Sequence, residues 1–430
     1  MLIKRVGWTA VTKAVGVIVS LLVTVAMARL LGVNGFAEYS LLVAVSAIVS
    51  LPVSSGVSQL ATREMAPALT DFDDAESRGR VAMGFVWAVF LAVLASVIYW
   101  LVLPHFSNNI FLVSVFGMTV VIVLFNGLNS VMDGVFKGVG RAELAIAGDE
   151  VLKPLFLVVL VALFFSHQDQ IEARDVVGAL ALSTFFVFIF FFLWILKGRF
   201  FVYEDFLYSS LNFWGWFKAV IPFSVAGAVY VLGANVGVAI TGLLGNQEAV
   251  SGLRVAERAV QLVSMPLLVA NMVLAPHFVN RWKQSEYSEL QRLVTVSSWG
   301  VFFLSFPIAL FLWFFGGWVV EVLFGLGYSD ISRQPMIIML FGQIVNVAFG
   351  SVGLLLMMTG RERISLYGQL AGLIINVVLS LCLVPEYGAT GAAVASACGL
   401  VVWNFILGGV VLKGMNIQPG IFSVISLRDR

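Results

Sequence analysis

The chain has 430 residues, 60% of them hydrophobic and only 11% charged, against roughly 25% charge in soluble domains. A net charge of +1 with mean hydropathy +1.00 marks an integral membrane protein and leaves no basic field for a nucleic acid. The two cysteines, Cys382 and Cys398, lie in apolar runs, and three scattered histidines form no ligand cluster, so neither disulfide, metal nor cofactor is expected.

Apolar stretches long enough to cross a bilayer predict twelve helices. In chain order they are 10–31, 39–61, 81–103, 109–132, 144–166, 175–196, 219–243, 253–278, 295–318, 335–358, 364–384 and 389–412. No small-residue cleavage site follows the basic opening MLIKRVGWTAVTK, which predicts an uncleaved first span. Of the 25 Lys and Arg residues, 20 fall on one side of this arrangement, so both termini are predicted cytoplasmic. The connection 197–218 is rich in aromatics and flanked by bases, as an interfacial segment would be. It separates a six-helix lobe over 1–196 from another over 219–430.

The lobes read as a repeat. Leu30-Leu31-Gly32 and Leu243-Leu244-Gly245 end spans one and seven. Gly178-Ala179 and Gly391-Ala392 open spans six and twelve at the same offset, and Gly140-Arg141 and Gly360-Arg361 precede spans five and eleven. An even number of spans per lobe predicts parallel repeats, as transporters use.

The fifth span carries the main candidate site. Its uncharged part, Pro154 to Ser166, is too short for a hydrocarbon core of ~30 Å, so Asp149, Glu150 and Lys153 are drawn into the membrane. On a regular helix Lys153 lies one turn from both acids, and Pro154 favours a kink beside them. Buried charges are costly and usually face a partner or a wet cavity. Three readings stand: a self-neutralising triad that only packs, a short helix whose charges stop at the cytoplasmic surface, or a polar site on a transport path. The repeat favours the last, because the residues in register are the uncharged Gln369, Leu370 and Leu373.

Span eight opens with Arg254, Glu257 and Arg258, where Glu257 can pair with Arg254 at i+3. They form either a charged turn at the membrane rim or a cationic lining suited to phosphate or acidic sugars. Lys13, just inside span one, either snorkels or meets an anionic headgroup. Asn235, Asn271, Asn346 and Asn376 sit mid-span as helix glue, and GxxxG spacings at Gly134/Gly138, Gly233/Gly237 and Gly368/Gly372 predict close crossings. No Walker A, HExxH or GxSxG sequence and no large extramembrane loop appears, so a transporter is expected and an enzyme is not.

The run ARLLGVNGFAEYS from Ala28 to Ser40 resembles the loop between the first two helices of Wzx-type polysaccharide flippases, of the multidrug/oligosaccharidyl-lipid/polysaccharide exporter superfamily. SSGVSQLATREMA (54–66) and GVGRAELAIAGDEVLKPLFL (138–157) are similar to that family's second-helix exit and fourth-to-fifth helix connection. Val33 and Ala37 stand where the family usually has Pro and Gly. The resemblance implies an all-α fold of two six-helix lobes around a central cavity in the bacterial inner membrane. It implies an undecaprenyl-pyrophosphate-linked oligosaccharide as substrate, as in O-antigen and lipopolysaccharide assembly. Coupling to H+ or Na+, contact with membrane lipids, and a polysaccharide polymerase and chain-length regulator as partners follow as expectations. Lys13, Lys153, Arg254 and Arg258 would bind substrate, and Asp149, Glu150 and Glu257 would couple the ion. The rival within the superfamily is a cation-coupled small-molecule exporter of the multidrug type.

Overall fold

A computed structural model describes residues 2–65, 75–106, 110–165, 170–197, 213–244 and 247–423. Most of the 197–218 connection lies outside the described residues, so its interfacial helix is not among the elements that follow. The described chain is helical: α1 (Leu2–Val49), α2 (Leu51–Met65), α3 (Ala75–Val102), α4 (Ile110–Ser114), α5 (Phe116–Gly138), α6 (Ala142–Ala147), α7 (Lys153–Phe165) and α8 (Ala173–Lys197). Then come α9 (Phe213–Leu244), α10 (Gln247–Lys283), α11 (Tyr287–Phe324), α12 (Tyr328–Phe349), α13 (Val352–Met358) and α14 (Glu362–Met415).

Eight of these helices are long and apolar enough to cross a membrane, and the α12–α13 pair, bent by 43°, makes a ninth. The twelve expected spans emerge from where the long helices break. Within α1 the backbone leaves helical geometry only at Gly32 (φ 63°, ψ −176°), and within α14 only at Gly388 (φ 53°, ψ −128°). Those backbone angles are open to glycine and strained for other residues, so one residue can serve as the whole connection between two spans. The loop expected over 32–38 is thereby reduced to Gly32. The fifth span is assembled from α6, a π-helical turn over Gly148–Leu152, and α7.

The chain divides into two compact units, Val11–Asn235 and Val236–Arg430, the latter grouped with residues 1–10. In the first, α5 is the hub, packing on α2, α3 and α8. It approaches α2 closely because it presents glycine there: a Cβ on Gly134 would stand 2.5 Å from the Ser58 carbonyl, and one on Gly138 2.5 Å from the Met65 Cβ. Trp87, Phe136, Met132 and Leu60 fill the core around this crossing. In the second unit, α12 is the hub and packs on α10, α11 and α14. Counted by spans, each unit therefore packs its fourth helix against its second, third and sixth.

The turns repeat as well. Gly140 (φ 72°) and Gly360 (φ 77°) both take the left-handed conformation that caps a helix. Arg141 N–H donates to the Phe136 carbonyl at 2.8 Å, and Arg361 N–H donates to Leu356 at 2.9 Å, the same six-residue closure. Of the three GxxxG spacings, Gly368/Gly372 makes a tight crossing within α14, where a Cβ on Gly372 would stand 2.7 Å from the Gly399 carbonyl. Gly233/Gly237 does not: a Cβ there would meet nothing within 4 Å at Gly233 and only Leu253 at 3.8 Å from Gly237.

Candidate functional site

The π-helical turn controls the chemistry of the fifth span. Pro154 has no N–H, so a carbonyl in the preceding turn lacks its backbone donor. The ladder instead widens, with Lys153 N–H donating to the carbonyl of Gly148, five residues back. Gly148 permits this close to α8, since a Cβ would stand 2.6 Å from the Phe191 ring. The span expected to kink at Pro154 bulges before it.

A widened turn breaks the i+3/i+4 register, and the expected triad separates. Glu150 forms an ion pair with Lys13 of α1. Lys153 instead donates a hydrogen bond to the Asn126 side-chain oxygen of α5 at 2.7 Å. Asp149 is exposed, and it and Asp133 act on Lys153 through charge without a hydrogen bond. The reading of a self-neutralising Asp149–Glu150–Lys153 cluster is therefore corrected: Glu150 is engaged by Lys13, and Asp149 acts on Lys153 only through charge.

Gly16 sets how near α1 comes. A Cβ on Gly16 would stand 2.6 Å from the Glu150 Cβ and 2.9 Å from its Oε2. That Oε2 is buried with no hydrogen-bond partner, while the other carboxylate oxygen holds Lys13. On α5, Asn126, Ser130, Asp133 and Lys137 follow at i, i+4, i+7 and i+11, one stripe of a helix. Asp133 and Lys137 pair at 3.3 Å. Three lysines thus converge on this region: Lys13 and Lys137 are ion-paired, whereas Lys153 hydrogen-bonds a neutral amide oxygen.

Sequence reasoning missed Asn126, Asp133, Lys137 and Gly16. The predicted fourth span ended at 132, so Asp133 and Lys137 were left to a loop, whereas α5 continues to Gly138. The stripe spacing was the available signal. The repeat sharpens it: in register with Asn126, Asp133 and Lys137 stand Asn346, Gly353 and Met357. Asn346 keeps its amide but accepts from Asn404 at 3.0 Å, a neutral bond between α12 and α14. The second unit reproduces this scaffold without its charges and, within α14, without the π-helical turn.

Arg254 lies in α10 with 7% exposure, and its guanidinium donates to Glu257 at 3.0 Å, the i+3 pairing read from sequence. Arg258 donates to Gln261 at 3.1 Å. Gly252 lets α10 press against α12 here, with the Ile331 carbonyl 2.5 Å from where a Cβ would stand. Arg254 is thus a buried group rather than an open cationic lining. Among the amides, Asn235 bonds its own helix at Val231, and Asn376 accepts from Ser380. No group of three or more metal-ligating side chains exists among the described residues.

Residues 2–282 match the family described as polysaccharide biosynthesis protein. Among solved structures the chain is similar to an inward-facing multidrug resistance MATE family transporter of the MOP superfamily. That pair shares 14% identity and a TM-score of 0.75, covering 95% of this chain and 98% of that one. It is also similar to the lipid II flippase MurJ in an inward closed conformation (11% identity, TM-score 0.74, 96% and 88% covered). A MOP superfamily transporter from Pyrococcus furiosus matches at 14% identity and TM-score 0.67, with 96% and 95% covered. At these identities the likeness is one of fold. No curated protein matched.

Proposed function

The chain belongs to the polysaccharide biosynthesis protein family, and on that premise we propose that it flips undecaprenyl-pyrophosphate-linked oligosaccharide repeat units across the bacterial inner membrane. The observation that carries this reading is the Lys153–Asn126 bond. A lysine held inside a membrane span by a neutral oxygen can exchange that bond for one to an incoming anion at little cost. The pyrophosphate head of the substrate supplies that anion, and its polyprenyl tail stays in lipid.

Lys13 is the second substrate lysine, engaged by Glu150 until the carboxylate is neutralised. Glu150 suits coupling because its buried Oε2 has no hydrogen-bond partner within the protein and is open to a coupling cation. Asp149, exposed beside Lys153, is the second coupling carboxylate, for H+ or Na+. Arg254 and Arg258, with Glu257 between them, would serve the emerging head once their pairing loosens. Both termini lie in the cytoplasm on this reading, and a polymerase and a chain-length regulator take the product.

The test uses cells that assemble the lipid-linked sugar but lack this protein. Accumulation of the linked units on the cytoplasmic leaflet, reversed by the wild-type gene and not by Lys153→Leu at equal protein level, is the expected result. Normal arrival of the units at the outer leaflet would overturn it. A second reading, a cation-coupled small-molecule exporter, is favoured by the fold match to the MATE family transporter. It requires dye efflux that depends on Asp149 or Glu150 and persists in Lys153→Leu.

A further inference from the structure

A groove of about 790 Å³ lies within the first unit, running from the end where α5 and α8 begin to Phe125, and none of the charged residues of the cluster above lines it. It falls within the volume range of sites that hold drug-sized ligands. Glycines hollow it. A Cβ on Gly117 would meet nothing within 4 Å, and one on Gly178 only the Met118 side chain at 3.8 Å. These glycines therefore differ from Gly134 and Gly138, whose missing side chains are replaced by a packed neighbour. The floor is closed by Phe125 and Phe185, which meet edge to face with centroids 5.0 Å apart. Phe164, an exposed ring of α7, stands at its side.

Depth and charge identify an occupant. From Gly117 to Phe125 the groove runs about 12 Å along the helix, near half the ~30 Å hydrocarbon core. That length accommodates much of one acyl chain. Its mouth carries Arg174 and Asp175 side by side, Arg174 exposed and Asp175 half-buried. One Asp175 oxygen accepts the Glu172 N–H at 3.1 Å, which fixes the carboxylate at the mouth. Glu172 adds a second exposed acid beside it in sequence. One cation flanked by two acids opposes a polyanionic head and matches a zwitterion.

We propose that this groove binds a phospholipid with an ethanolamine head, one acyl chain between α5 and α8, its phosphate on Arg174 and its ammonium on Asp175. The guanidinium fork fits the phosphate, and a primary ammonium can donate to the carboxylate where a choline cannot. This site is independent of how the charged cluster works and of which solute is moved.

The experiment exchanges the purified full chain in detergent with ethanolamine, choline and glycerol phospholipids of identical acyl chains, then counts bound lipid by native mass spectrometry. The wild type retains the ethanolamine lipid about tenfold over the other two, the scale of one charge-assisted hydrogen bond. Gly178→Leu and, separately, Gly117→Leu place a side chain in the empty groove and remove the retained lipid. Asp175→Asn keeps a lipid but abolishes the preference for ethanolamine over choline. The proposal is overturned if both leucine variants retain lipid as the wild type does, or if the wild type holds the three lipids alike. Displacement of the ethanolamine lipid by added undecaprenyl phosphate also overturns it, because the groove would then belong to a polyprenyl tail.

Discussion

At the scale of single residues, three lysines of similar placement differ in what holds them. Lys13 and Lys137 are ion-paired, and Lys153 is hydrogen-bonded to an amide. Losing a hydrogen bond to a charged group costs about 1.5–3 kcal/mol, so Lys153→Leu should lower transport about ten- to hundredfold. Lys153→Arg should recover part of it, and both are read as outer-leaflet arrival of the linked sugar at matched protein level. Asn126→Asp tests the neutral partner. A carboxylate there would occupy Lys153 permanently, and the expected outcome is lost transport with a normally folded protein. Unimpaired transport in Asn126→Asp would remove the reason for singling out Lys153. Glu150→Gln should free Lys13 and uncouple transport from the ion gradient, measured in proteoliposomes with and without an imposed gradient; retained coupling would rule Glu150 out.

Among the helices, the fifth span shows why spacing alone misread the site. That Asp149, Glu150 and Lys153 belong to a span was legible from the 13 or so uncharged residues that follow them. Their pairing was not, because i+3 and i+4 neighbours are assigned on a regular turn and Pro154 makes the preceding turn irregular. Glu150 thus turns to α1, a contact set by Gly16, and no local pattern announces which distant helix a glycine will admit. The glycine turns were legible: Gly140 and Gly360 precede the same span of each half and take the same left-handed conformation. Alanine at either should cost about 1–2 kcal/mol, lowering the melting temperature of the detergent-solubilised protein by similar amounts. Unequal losses would show that the two turns do not carry equal strain.

For the whole molecule, the two units are one packing plan used twice, each organised on its fourth helix. Only one copy carries the charged stripe and the widened turn. The scaffold's requirements and the site's requirements can therefore be separated by transplanting the uncharged copy into the charged one. A variant with Lys13→Ala, Asp133→Gly, Lys137→Met, Asp149→Gln, Glu150→Leu and Lys153→Leu should insert and remain abundant, because an intramembrane ion pair can be replaced as a whole by apolar residues at little cost, whereas removing one partner leaves a charge that costs on the order of 2.5–3.5 kcal/mol. It should transport nothing. A variant that fails to accumulate in the membrane would mean that the charges hold the unit together rather than serve a solute.

The single-glycine joints at Gly32 and Gly388 bear on how the chain is made. Spans one and two, and spans eleven and twelve, are linked by one residue of non-helical backbone, with no stretch of polar chain between them. A ribosome-fed channel cannot release the first helix of such a pair into lipid and then decide the orientation of the second. The pair must leave as a finished hairpin, its two members fixed against each other on exit. Each of these pairs is therefore a preassembled two-helix unit before it meets its neighbours. Orientation is left to be chosen only in the longer connections between.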